Sequence, residues 1–195
     1  MFEATRSKIA AHMRRLMPGR IARRFVRQQD GAAAVEFALV AAPFLALTFA
    51  ILETAFVFFA GQTLEAAAAD AARLIMTGQA QTNGYSQQNY KDQVCARVAG
   101  LFDCTNGVYV SVKSYSSFSS ISTASPVTNG QLDTSNMTYT PGGPGCIVVV
   151  SLYYQWPIIV SMYSDNLSNL NGSKRLLVAT SVFRNEPYGG SGACT

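Results

Sequence analysis

Residues 31–78 read GAAAVEFALVAAPFLALTFAILETAFVFFAGQTLEAAAADAARLIMTG, and this stretch decides the fold. From Phe37 to Ala60 it runs 24 residues with one charge, Glu53. As a helix that run extends about 36 Å at about 1.5 Å per residue, enough to cross a bilayer with modest tilt. Beyond Gly61 the apolar spacing continues, with Leu64, Ala68, Ala71, Leu74 and Ile75 at three- and four-residue steps among Gln62, Glu65, Asp70 and Arg73. Gly78 is a natural stop. One helix from Ala34 to Thr77, about 66 Å long, is the simplest reading.

The formal charge of +4 on 195 residues conceals two opposite regions. Residues 1–30 hold eight of the 15 Lys and Arg against Glu3 and Asp30, a balance of +6; the remainder has seven cations against nine carboxylates, or −2. The basic residues form an arm beside an apolar segment rather than a stripe on a folded surface, which argues against nucleic-acid binding. By the positive-inside rule the arm is cytosolic, and everything after about residue 61 is exported.

All four cysteines, Cys95, Cys104, Cys146 and Cys194, lie in the exported portion. None sits in a metal-ligand spacing, so disulfides fit better than zinc. Of the three possible pairings we favour Cys95 with Cys104, closing a short loop, and Cys146 with Cys194, tying the tail to a strand. In the chain-entropy model these contribute about 2.7 and about 4 kcal/mol.

After a polar break at QAQTNGYSQ, residues 87–102 place Tyr90, Val94, Cys95, Val98, Leu101 and Phe102 on one face of a short amphipathic helix. GVYVSVKSY then alternates as a strand. Residues 114–145 are about two thirds Ser, Thr, Asn, Gly or Pro and read as a long surface loop, with a frayed strand at Tyr115, Phe118 and Ile121. CIVVVSLYYQW from Cys146 is the most strand-like run, interrupted by Pro157 and followed by IIVSMY, and RLLVATSVF is a last strand. The fold class is α+β: a long N-terminal transmembrane helix continues into a small exported domain with one further helix and an antiparallel sheet of three to four strands. The expected divisions are a basic leader at 1–31, a transmembrane helix at 32–60, its exported continuation at 61–78 and the head at 79–195.

The junction Gly31-Ala32-Ala33-Ala34-Val35-Glu36-Phe37 sets a carboxylate at the edge of the apolar run, where burial is costly. A cleaved secretory signal fits poorly, since its apolar core is 7–15 residues and ends at a small-x-small site. A twin-arginine signal, prompted by Arg23-Arg24, is off in residue order. Glycine followed by small residues, with glutamate fifth after it and phenylalanine sixth, resembles the prepilin peptidase site of type IV pilins and pseudopilins. Together with FALVAAPFLALTFAILE, DAARLIMTGQAQ and VATSVFRNEPY, the chain resembles the TadE family of pilin-like proteins from Tad (Flp) pilus systems.

That resemblance implies cleavage between Gly31 and Ala32 by a membrane aspartyl peptidase of the bacterial inner membrane, with the N-terminus cytosolic and the head periplasmic. It implies other pilin-like subunits and the pilus assembly machinery as partners, and a pilus used for adherence. Cleavage would delete the anchoring cations and create an ammonium four residues from Glu36, whose carboxylate pairs in such assemblies with a neighbouring subunit's amine. The plainer reading leaves Glu36 in the headgroup zone. A TadF-like relative, or a bitopic membrane-anchored binding module outside any filament, is the alternative.

Glu53 lies deeper, with only AFVFFA between it and Gly61. Protonation, a hydrogen bond to a partner helix or reaching to the interface would each lower its cost. Pro43, seven residues after Glu36 and so near the same face, removes one backbone bond, and Ala41 and Ala42 allow another helix close; a merely tolerated membrane proline is the other reading. The Ala66–Ala69 run permits close packing or simply favours helix.

The only histidine, His12, lies in the arm, so an exported Ser–His or Cys–His centre is unsupported. No phosphate loop, paired-carboxylate motif or metal cluster appears, so we expect no enzyme activity, no cofactor and no small-molecule substrate. The sequons at Asn136, Asn166 and Asn171 are accidents of an Asn/Ser/Thr-rich composition.

Overall fold

The computed structural model describes residues 31–98, 100–122, 124–159 and 168–194. The basic leader before Gly31, the later part of IIVSMY and the sequon at Asn166 lie outside them. The chain divides into two units, Met1–Thr48 and Phe49–Thr195.

Helix α1 spans Ala32–Met76, 45 residues. From Ala32 to Thr48, in the first unit, nearly every side chain is exposed, including Phe37 at 74% and Leu39 at 70%. In the second unit a single stripe is buried, through Glu53, Val57, Ala60, Leu64, Ala67, Ala71 and Ile75. Those steps are all of three or four residues, the spacing that keeps one narrow face turned inward. The alanine run splits accordingly, with Ala67 and Ala68 buried and Ala66 and Ala69 exposed.

The helix stops at Gly78, whose φ of 77° is left-handed. A Cβ there would meet the Tyr188 ring at 2.4 Å, so glycine is required both for the turn and for the tail packed over it. The polar break contains a turn of helix that its composition hides, α2 at Gln79–Thr82.

Helix α3, Gln87–Cys95, begins at Ser86, which closes a capping box with Asn89. It is shorter than the expected 87–102 because Cys95 is tied to Cys104 across a Cα separation of 5.6 Å, which turns the chain back. Tyr90, Val94, Val98 and Phe102 are nevertheless buried, the last two from turns rather than helix. One further turn, α4 at Cys104–Gly107, is capped by Asp103.

Strand β1, Val108–Tyr115, opens the head's main sheet. The long loop is more ordered than its composition suggests. Phe118–Ser120 is a 3₁₀ turn, not a frayed strand, and Phe118 is exposed. Val127–Thr128 (β2) pairs with Gln131–Leu132 (β3) across Asn129-Gly130, both at positive φ, the residue pair that a two-residue hairpin turn demands.

Strands β4, Ile147–Pro157, and β5, Lys174–Arg184, complete a three-stranded antiparallel sheet of order β1-β4-β5. Pro157 does not interrupt β4 but ends it, opposite Lys174. One sheet face presents Val108, Val110, Val112, Val148, Val150, Leu152, Leu177 and Ala179, which join the helix stripe, Tyr90 and Val94 in one hydrophobic core. The outer edge of β1 is met at residues 138–140, where Val112 N–H donates to Thr138 O at 2.7 Å and Thr140 N–H to Val112 O at 2.8 Å.

Candidate assembly surface and the ties of the head

Three sets of side chains bear on function: the residues at the start of α1, Glu53, and the network holding the C-terminal tail. The first set is Gly31, Ala32, Glu36, Phe37 and Pro43. All five are exposed, on a helix that begins immediately after Gly31. A Cβ at Gly31 would meet nothing within 4 Å, so packing does not require glycine there. Pro43 lies inside an unbroken α1. Around it Val40, Phe44, Leu45 and Leu47 are 48–69% exposed, an apolar surface on all sides of the helix. The helix is long and apolar enough to cross a membrane, with a mean hydropathy of 2.2 over its most apolar 18 residues, none of them buried. Leaving such a surface in water costs about 25 cal/mol per Å², which favours covering it with lipid or other helices.

Glu53 is different. It is only 8% exposed, and its carboxylate accepts the backbone N–H of Ile159, in the segment just after β4. The sequence offered partner helices or the membrane interface as its company; the structure supplies a backbone donor from the same chain. No sequence pattern marks Ile159 as that donor, since the contact joins positions 106 residues apart.

The tail is fastened by residues that the sequence reading did not single out. Asn185, 3% exposed, donates through Nδ2 to the carbonyls of Pro141 and Gly143, each at 3.0 Å. Its backbone pairs with its neighbours too: Asn185 N–H donates to Cys146 O and Gly145 N–H to Asn185 O. Glu186 N–H donates to Met76 O at 2.9 Å, satisfying a carbonyl of the last turn of α1. Gln81 Nε2 reaches Ile75, Pro141 and Gly142 carbonyls at 3.2–3.3 Å. The Cys146–Cys194 disulfide closes this knot, and Cys95–Cys104 closes the other loop, the pairs that spacing favoured. The tail thus locks the end of α1 to the start of β4.

The opposite face of the sheet carries a groove of about 400 Å³ beneath the 116–137 loop, lined by Ser111, Lys113, Tyr153, Thr180, Asp133 and Asn136 among others. Hydrogen bonds from the Ser135 hydroxyl and N–H hold the Asp133 carboxyl below its ordinary range. Among the described residues no three His, Cys, Asp or Glu gather as a metal site.

No curated protein and no solved structure matches this chain. VATSVFRNEPY, the C-terminal part of the resemblance, lies outside the region that a family model covers. Residues 31–73, from the glycine of the junction through most of α1, match the family model described as TadE-like protein.

Proposed function

We propose that this chain is a minor pilin or pseudopilin of TadE type, a noncatalytic subunit that helps assemble a Tad/Flp-type pilus used for adherence. The observation that carries the reading is the TadE-like match over residues 31–73, coincident with a helix whose first half is apolar on every side. Residues 1–31 are a cytosolic leader, 32–60 cross the inner membrane, 61–78 continue the helix outside and 79–195 form the periplasmic head. Prepilin peptidase cuts between Gly31 and Ala32. The mature α1 then associates with other pilin-like subunits through Glu36, Phe37 and the face containing Pro43.

Exposure of Gly31 and of everything up to Val40 supports access by a peptidase, and an exposed Glu36 supports pairing with another subunit's amine, because none of the described residues covers it. Two disulfides support an oxidising compartment for the head.

N-terminal sequencing of the membrane-extracted protein, from cells with and without the peptidase, tests the proposal. Ala32 as the first residue only when the peptidase is present is the expected result. Met1 or Phe2 in both strains overturns it in favour of a bitopic anchor. A pilus-null deletion strain complemented by wild type but not by Gly31→Ala separates a filament subunit from a bystander.

A further inference from the structure

We propose that the end of β4 rests on the outer lipid surface, with the Ile159 side chain inserted among the acyl chains and Glu53 acting as the acceptor that lets this backbone enter. The inference builds on the membrane-spanning reading of α1. Its first support is position: Glu53 is the seventeenth of the 24 residues from Phe37 to Ala60, and a hydrocarbon core takes about 20. A residue whose backbone N–H is bonded to Glu53 therefore lies at or just inside the lipid boundary.

The second support is what surrounds that level. On α1, Phe56, Phe58 and Phe59 remain 57%, 68% and 61% exposed, so the head leaves the lipid-facing side of the helix bare there. Ile159 is 84% exposed, beside a carboxylate that takes its N–H. An isoleucine so placed gains about 1.5–3 kcal/mol when it enters an apolar medium.

The third support is chemistry at the same end of the sheet. Trp156 and Pro157 end β4 and pair in register with Arg175 and Lys174. A half-buried indole, an exposed Lys174 and an exposed isoleucine at one end match the aromatic and basic belt of a membrane interface, where cations meet lipid phosphates and the ring lies at headgroup level. Irregular backbone entering lipid must have its N–H groups satisfied, because water is no longer there to do it. Glu53 does that for Ile159, which explains a carboxylate kept within an otherwise uncharged span.

The test uses the full chain in phospholipid vesicles. Trp156 is the sole tryptophan, so Trp156→Phe gives a silent background. In it, Ile159→Trp reports the tip and Phe49→Trp reports the span; both replaced side chains are exposed, so neither should disturb folding. The expected result is that phospholipids brominated on the acyl chain quench both indoles while aqueous iodide spares them. Quenching of Phe49→Trp by brominated lipid, with Ile159→Trp quenched only by iodide, overturns the proposal and leaves the membrane reading intact. If brominated lipid quenches neither, the membrane reading fails as well. Adding Glu53→Leu should return the Ile159→Trp indole to iodide, whereas Glu53→Gln, which keeps an acceptor, should not; equal lipid quenching in both overturns the role given to Glu53.

Discussion

Asn185 Nδ2 bridges the carbonyls of Pro141 and Gly143 at 3.0 Å each, in a side chain only 3% exposed. An asparagine can do this because its amide offers two donors; an aspartate of the same size offers none when ionised. Asn185→Ala removes two bonds worth about 1 kcal/mol each and leaves two carbonyls bare, for an expected loss of about 2 kcal/mol. Asn185→Asp should be worse, since it turns a carboxylate toward two acceptors. Chemical denaturation of the oxidised full chain in detergent measures both, and equal stability of Asp and Ala variants would sink the account.

Gly78 and Tyr188 make a second coupled pair. With φ at 77°, Gly78→Ala is expected to cost about 1–2 kcal/mol from backbone strain alone. The added Cβ would also lie 2.4 Å from the Tyr188 ring, so the tail must shift as well. Tyr188→Ala should relieve that part and leave the strain. A double-mutant cycle therefore shows Gly78→Ala costing less in the Tyr188→Ala background than in wild type. Strict additivity would mean that the ring moves freely.

Much of this was legible because its causes are local. The helix announces itself through an uncharged run and then a 3–4 spacing, and α1 ends within a residue or two of where Gly78 predicts. β1, β4 and β5 follow from alternation or from unbroken valines such as Val148–Val150. What was hidden depends on distant neighbours. Asn185 stands in a tail whose sequence looks like linker, and its value comes from carbonyls more than 40 positions earlier. Ile159 is an ordinary isoleucine until Glu53 meets its N–H. In the long loop Asn129-Gly130 marks a hairpin turn, but its strands are two residues each, too short for any alternation to register.

The disulfides should differ in worth. Cys146–Cys194 closes 48 residues and Cys95–Cys104 only nine. On loop entropy the first contributes about 4 kcal/mol and the second about 2.7. The paired Cys146→Ala and Cys194→Ala substitutions are therefore expected to lower the denaturation midpoint more than Cys95→Ala with Cys104→Ala. The first pair also frees the tail, so hydrogen exchange at Glu186 N–H, bonded to Met76 O, should quicken in that variant alone. The reverse order of midpoints would show that Cys95–Cys104 holds more than its own loop.

Tyr90 and Tyr139 predict an alkaline limit. Their rings lie 5.6 Å apart, Tyr90 is fully buried, and among the described residues neither hydroxyl has a hydrogen-bond partner. Burial, and secondarily the neighbouring Tyr139, raises the Tyr90 phenol well above its ordinary 10.0. Burial, with Tyr85 nearby, pushes Tyr139 up to about 12. Both phenols keep their protons in the fold at a pH where the unfolded chain loses them, so above pH 10 the unfolded state binds fewer protons and stability falls as pH rises. The loss runs from pH 10 to about 12 for Tyr139 and continues beyond for Tyr90, which alone steepens it by up to about 1.4 kcal/mol per pH unit. Tyr90→Phe removes the titrating group along with an unpartnered hydroxyl. It should leave stability near neutral pH unchanged or slightly higher and flatten the alkaline slope, measured by denaturation midpoints of the oxidised protein across that window. An unaltered slope in Tyr90→Phe would show that its proton is lost as readily in the fold as outside it.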